Sequence, residues 1–273
     1  MTGTSSLSAA ALLGMTSKTS AKSPRTTERA AIQNFVLVHG AWHGGWCWRD
    51  VTSGLRAKGH NVFTPTLTGL GERSHLLTPE VGLQTHIDDI LSVIRFNDLE
   101  DVILIGHSYG GMVITGVADA LREKLQHVVY LDAALPHDGE TMISQGPVRA
   151  PEALKAAENQ LRTLAPDGIG MNTFPPEFLG IPKDHPGHDW VARHMTPHPL
   201  KTWFDPIKLK NGGSDGLART YIHCNDPVLP GTSFAFHSAR TGSDPSWNSL
   251  TLATGHDAMV TRPGELSEIL LSL

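Results

Sequence analysis

Cysteine is scarce in this chain: its 273 residues hold only Cys47 and Cys224. Their spacing matches neither a disulfide framework nor a zinc site, so both read as free thiols. Long apolar runs are missing as well. No segment reaches the roughly 18 consecutive apolar residues that mark a membrane-crossing helix, and no membrane span is expected. Excess positive charge is also lacking. Lys and Arg number 22 against 27 Asp and Glu, a formal net charge of −5, which leaves no basic footprint for nucleic acid and no basic amphipathic helix for a membrane surface. Small neutral ligands suit this balance better than polyanions. The length exceeds the usual single-domain mode, but α/β folds of this size are often one core carrying an insertion, and 40% hydrophobic residues are enough to fill it.

Histidine, by contrast, is plentiful at 15. His185, His188, His194 and His198 cluster in sequence, but their spacing lacks the acidic general base of a zincin motif and prolines lie among them. They read as surface or lid residues, and no metal site is expected. Residues 1–30 hold twelve Ser and Thr, one acid (Glu28) and one apolar run, Leu7 to Met15. With no Lys or Arg ahead of that run, the segment reads as a disordered tail or a degenerate export signal. The first reading implies a cytoplasmic protein, the second a periplasmic or secreted one.

From residue 31 the chain alternates strand and helix. Phe35 to Val38 is a short β-rich run leading into the glycine-rich loop His39-Gly40-Ala41-Trp42-His43-Gly44-Gly45-Trp46. Asn61 to Pro65 is the next strand. Thr85 to Ile94 places Ile87, Ile90, Leu91 and Ile94 at i, i+3, i+4 and i+7, one apolar face of a helix. Val102 to Gly111 then reads Val-Ile-Leu-Ile-Gly-His-Ser-Tyr-Gly-Gly: strand, sharp turn, helix. The G-x-S-x-G turn needs glycine two residues either side of Ser108, because a Cβ there would strike the neighbouring strand or helix. Ser108 is therefore expected at the carboxyl edge of a parallel sheet, at the positive end of the next helix. His127 to Asp132 is a further strand. Between Pro166 and Pro206 there are eight prolines and the alternation is lost. Residues 136–210 are expected to form a lid over a core made of 31–135 and 211–273. Arg219 to Cys224 and Asn248 to Ala253 complete the strands, and Leu266, Ile269, Leu270 and Leu273 predict an amphipathic closing helix. The expected fold class is α/β, a mostly parallel sheet with helices on both faces.

Three features follow one another along the chain: a serine (Ser108), an acid (Asp132 or Asp226) and a histidine (His256), all at carboxyl ends of strands. A serine hydroxyl becomes a useful nucleophile when a neutral imidazole takes its proton, and the acid holds the imidazole tautomer. The N–H groups of Ala41 and Tyr109 are the expected oxyanion donors. The oxyanion loop, Gly-His-Ser-Tyr-Gly-Gly and Gly-His-Asp-Ala-Met resemble the α/β-hydrolase group that contains plant methyl esterases, hydroxynitrile lyases and bacterial esterases, including carbendazim-hydrolysing ones. The resemblance covers about residues 33–273, and is strongest through Gly139 and weak in the lid. It implies a cofactor-free serine esterase with Ser108 and His256 as catalytic residues. A monomer or homodimer acting as a carboxylesterase on small neutral esters through an acyl-enzyme is the expectation. Carbamate or amide hydrolysis by the same residues is the alternative.

The acid departs from the family pattern. In the plant enzymes the aspartate follows the Tyr-Ile-x-Cys strand, four residues before a proline. Asp226 keeps that distance to Pro230 but its turn is one residue shorter, whereas Asp132 occupies the position used by other α/β-hydrolases. Asp226 is taken first and Asp132 second. Hydroxynitrile lyases of the group carry threonine and lysine where this chain has Gly40 and Asp257, and a carboxylate beside a departing cyanide is unfavourable by Coulomb's law. A non-catalytic receptor on the same fold is a further alternative. Trp42, His107, Trp190, Trp203, Phe174 and Phe178 are the expected pocket residues.

Overall fold

The structure, a computed structural model, describes residues 1–5, 31–147 and 150–273. The expectation of a tail or export signal over residues 1–30 therefore falls almost wholly outside the described residues. Strands β1 (Asn34–Val38), β2 (Asn61–Phe63), β3 (Val102–His107) and β4 (Leu125–Leu131) come first; β7 (Arg219–Cys224) and β8 (Asn248–Leu252) come last. Together they form a six-stranded sheet in the order β2-β1-β3-β4-β7-β8, with every pairing parallel. β3 carries Val102, Ile103, Leu104 and Ile105 without a polar break because helices cover both sheet faces, and all four are fully buried.

On one face α1 (Arg49–Ala57) packs against the closing helix α8 (Pro263–Leu271); on the other, α2 (Leu83–Phe96) packs against α3 (Gly110–Ala120). Helix α2 buries Ile87, Ile90, Leu91 and Ile94, the apolar face expected from the sequence, and extends two residues beyond the expected Thr85–Ile94 span at each end. Its approach to α3 is close: a Cβ on Gly116 would lie 2.4 Å from the Ile87 side chain. Among the described residues between β4 and β7, no strand joins the main sheet. That stretch holds α4 (Pro151–Thr163), α5 (His188–His194) and a two-residue antiparallel pairing of β5 (Gly170–Met171) with β6 (His198–Pro199). Helices α6 (Phe234–Gly242) and α7 (Ala258–Thr261) flank β8. Residues Ile32–Leu273 pack as a single unit that includes the 136–210 stretch.

Candidate active site

Ser108 follows β3 directly, in left-handed backbone geometry at φ 54°. A β-carbon on Gly106 would stand 2.7 Å from the Gly110 carbonyl oxygen, and one on Gly110 would stand 2.9 Å from the carbonyl oxygens of Val38 and His39. Neither neighbour can give way, because both are backbone. The turn is held by Ser108 N–H donating to the Leu131 carbonyl (3.2 Å), and by the Ser108 carbonyl accepting from Ala134 and Gly111 (both 3.0 Å). The serine side chain is thereby presented at the sheet's carboxyl edge, where the parallel strands leave a crevice.

His256 lies on the loop after β8, 2% exposed. Its Nδ1–H donates to Asp132 Oδ2 at 2.7 Å, and His107 Nε2–H donates to its carbonyl at 3.0 Å. With Nδ1 committed to a carboxylate, Nε2 is left as the basic nitrogen. Asp132 follows β4 at φ 41°. Its Oδ1 accepts from His223 Nδ1 (2.8 Å) and from Cys224 N–H (3.2 Å). Burial opposes the charge of Asp132, but the hydrogen bonds from His223 and His256 outweigh it and hold the carboxyl below its ordinary range. Phe234 lies flat against the His256 ring, 5.4 Å between centroids at 7°.

Of the two aspartates expected from the sequence, the structure brings Asp132 and not Asp226 to His256. β7 ends at Cys224, and the Asn225–Pro227 turn carries the Asp226 side chain into solvent; its backbone N–H donates to the Thr254 carbonyl. The carboxylate that meets His256 is that of Asp132, on the strand adjacent to β3.

Ser108 and His256 line one cavity of about 380 Å³. Trp42, Trp203, Phe174 and Phe178 line it too, as expected; Phe174 stacks on Phe178 and sits edge-on to Trp42 (centroids 4.7 and 5.1 Å). Two expected pocket residues do not line it. Trp190 packs edge-on against Trp46 and under the Arg49 guanidinium (4.2 Å), on the α1 side of the sheet. His107 is buried behind His256, with ring centroids 4.4 Å apart, and desolvation keeps it neutral. Sequence reasoning missed Gln145, Leu161 and Phe234 on the cavity wall. Leu161 lies on α4 and Phe234 opens α6, neither of which had a readable signal in the sequence, and Gln145 is placed by a loop.

The glycine-rich loop after β1 sits against this crevice. Among the described residues neither Ala41 N–H nor Tyr109 N–H donates to a protein acceptor. Tyr109 also fixes its ring, bonding His86 Nδ1 through the phenol (2.9 Å). A β-carbon on Gly40 would lie 2.8 Å from both Ser108 Cβ and His107 Nδ1, so a side chain at this position meets the serine itself. Asp257, used in the Coulomb argument against cyanide release, is fully buried, and its Oδ2 pairs with His43 Nε2 at 3.1 Å. It does not line the cavity, so its charge faces His43 and not a leaving group.

The clustered histidines are structural. His198 accepts from Trp42 N–H (3.4 Å) and bonds Thr202, while His188 pairs with Glu177 and Asp189. Among the described residues, ligand-type atoms of His107, His256 and Asp257 come within 4.8 Å of one another. Within this group His256 Nδ1 donates to Asp132 and His107 Nε2 to the His256 carbonyl, while His107 Nδ1 and Asp257 Oδ1 are buried without a hydrogen-bond partner among the described residues.

Comparison with known proteins bears on this arrangement. A family model described as "Alpha/beta hydrolase family" matches residues 35–269. The chain is 43% identical over 248 residues to a carbendazim hydrolyzing esterase of a Nocardioides species, spanning 89% of this chain and 100% of the relative. It is 31% identical to methylesterase 2 of Arabidopsis thaliana over 217 residues, 73% of this chain and 80% of that one. Among solved structures, an extracellular alpha/beta-hydrolase from a Paenibacillus species superposes with a TM-score of 0.74 at 26% identity, covering 88% of this chain and 98% of the other.

Proposed function

The chain belongs to the alpha/beta hydrolase family, and from that premise we propose that it is a serine carboxylesterase in which Ser108 is the nucleophile, His256 the general base and Asp132 the acid. The observation that carries the reading is the Asp132–His256 hydrogen bond at 2.7 Å beside a cavity lined by both His256 and Ser108. The hydrogen bond fixes the imidazole tautomer, so its basic nitrogen is free for the serine proton. Ser108 Oγ attacks the ester carbonyl as its proton passes to His256 Nε2. The tetrahedral oxyanion takes hydrogen bonds from Ala41 and Tyr109 N–H, each worth on the order of 10²–10³ in rate. Collapse expels the alcohol, which leaves with the proton from His256. Water, activated by the same nitrogen, then releases the acid and restores Ser108.

The cavity wall supports a neutral, largely apolar substrate. Among the described residues it is lined mainly by aromatic and aliphatic side chains, with Gln145, Gln160, Thr232 and Ser233 besides Ser108 and His256, and by no Lys, Arg, Asp or Glu. Carbamate esters are a second substrate class, favoured by the 43% identity to an esterase named for carbendazim hydrolysis. Labelling by a fluorophosphonate together with turnover of p-nitrophenyl acetate and of an aryl methyl carbamate tests the reading. Labelling and turnover should both vanish in Ser108→Ala, with kcat lower by about 10⁴-fold or more. A wild-type protein that is labelled but turns over neither substrate would be a receptor, and the enzymatic reading would fall.

A further inference from the structure

The mechanism above leaves a fully buried ion pair without a use. His43 is 1% exposed and Asp257 not at all, and replacing such a pair by apolar residues is often neutral or stabilising. Stability is therefore a weak reason for its presence. Its position suggests a better one. Both ring nitrogens of His43 face acceptors, Nδ1 the Ala41 carbonyl at 2.7 Å and Nε2 the Asp257 carboxylate at 3.1 Å. A carbonyl has no proton to give and an ionised carboxylate has none either, so both nitrogens donate and the ring is an imidazolium.

We propose that the His43–Asp257 pair is a positioning device for the oxyanion hole, anchoring the peptide that follows Ala41 and with it the distance of that loop from His256. Each peptide group is planar, so a bond to one end of it orients the other. The Gly40–Ala41 peptide, which carries the Ala41 N–H, is held through the Gly40 carbonyl by His39 Nδ1 at 2.8 Å. The next peptide is held at both ends: its carbonyl, that of Ala41, by His43, and its N–H, that of Trp42, by His198. Trp42 meanwhile sits in left-handed geometry at φ 65°, a conformation a tryptophan keeps only where its surroundings enforce it. At the other end of the device, Asp257 is the chain neighbour of His256, so one ion pair joins the loop that receives the oxyanion to the loop that supplies the base.

The charge on His43 has defined surroundings. Trp46 stacks on its ring (5.2 Å, 27°), and His107 of β3 stands edge-on at 6.2 Å. Asp257 faces it from the post-β8 loop and also reaches His107 at 3.8 Å. His39, His107 and His198 are held neutral by burial and oppose a second charge nearby, and Cys47 and His256 lie on the Asp257 side. Burial works against the His43 proton, but Asp257 and the Ala41 carbonyl outweigh it, and its pKa is raised.

This inference rests on the serine-esterase reading, and the test keeps the two apart. His43→Gln, Asp257→Asn and the double variant are compared with wild type for kcat and KM on p-nitrophenyl acetate between pH 6 and 10, for inhibition by phenylboronic acid, which forms a tetrahedral adduct, and for melting. His43→Gln should lower kcat by on the order of 10²-fold, the size of one lost oxyanion donor, with KM within about threefold, and should weaken boronate inhibition in step. Asp257→Asn keeps an acceptor for Nε2 but removes the charge, so its kcat should fall at a lower pH than that of wild type on the alkaline side. A single variant leaves a buried partner unpaired and risks unfolding. The double variant bridges the same groups with neutral amides and is expected to fold and to be slow. Wild-type kcat in a folded variant at every pH, or a loss that merely tracks melting, overturns the proposal. Absence of turnover in wild type itself would overturn the esterase reading instead.

Discussion

Two histidines share the Asp132 carboxylate, His256 on Oδ2 and His223 on Oδ1, and this arrangement favours Asp132 over Asp226 as the proposed acid. Asparagine at 132 would present an amide N–H₂ toward a ring nitrogen that needs an acceptor, favouring the wrong tautomer of His256. Asp132→Asn is therefore expected to lower kcat by about 10⁴-fold with the fold intact by circular dichroism. Asp226→Asn, at an exposed turn, should stay within about twofold of wild type, as surface changes away from a site do. Equal losses in the two variants would displace Asp132 from the role. The sequence favoured Asp226 through its distance to Pro230, a one-dimensional cue. What it could not carry is the direction the chain takes on leaving a strand: β4 exits through a left-handed residue that turns its carboxylate across the sheet edge, and β7 exits into a solvent-facing turn. His43 was readable in the same way and only as far. Its place in the oxyanion motif was plain, but a partner 214 residues away at Asp257 was not.

At the scale of elements, the core was legible because its signals are local. β-branched runs fully buried on both faces mark β1 and β3, an apolar face at helical spacing marks α2, and glycines with no room for a Cβ mark the elbow. The 136–210 stretch lacks such signals. Its β5–β6 pairing is two residues long, one of them proline, too short for any alternation to be read. The two tryptophans show the consequence: Trp203 lines the cavity and Trp190 packs under Arg49 outside it, although their local composition is alike. The aromatic layer contributed by this stretch is where substrate size should be set. Phe174→Ala removes the ring between Phe178 and Trp42 and lengthens the apolar wall. The ratio of kcat/KM for p-nitrophenyl octanoate to that for the acetate should rise about tenfold, since an apolar group in such a pocket is worth about 1–3 kcal/mol. An unchanged ratio would place acyl selection on the other wall, with Leu161 and Gln145.

Across the whole molecule the abundant histidines make folding sensitive to acid. His39, His86, His107, His198 and His237 are buried, and desolvation depresses all five, to about 3 for His39 and His237 and about 4 for His86. In the unfolded chain each titrates near 6.5. Above that pH both states are neutral and the native state carries no penalty. As pH falls through 6.5 the unfolded chain takes up protons that the native state refuses, and stability declines by about 1.4 kcal/mol per pH unit for each group until its folded pKa is reached. His43 acts in the opposite sense: its pKa is raised, so its contribution is complete below 6.5 and is lost as pH rises through the folded value. Asp132 and Asp257, both lowered, keep their contributions until pH drops below the ordinary carboxylate range. The interval from pH 6.5 to 4 thus belongs to the neutral histidines. Near pH 5 all five act in the same direction, so their effects on stability add. The melting temperature is expected to fall steeply below pH 6, with net proton uptake on unfolding at pH 5 measured calorimetrically in buffers of different ionisation enthalpy, and to decline again on the alkaline side where His43 gives up its proton. A melting temperature that stays level down to pH 5 would mean that these rings carry their protons in the folded state, and that the hydrogen bonds His39 and His198 accept from Leu67 and Trp42 are not formed.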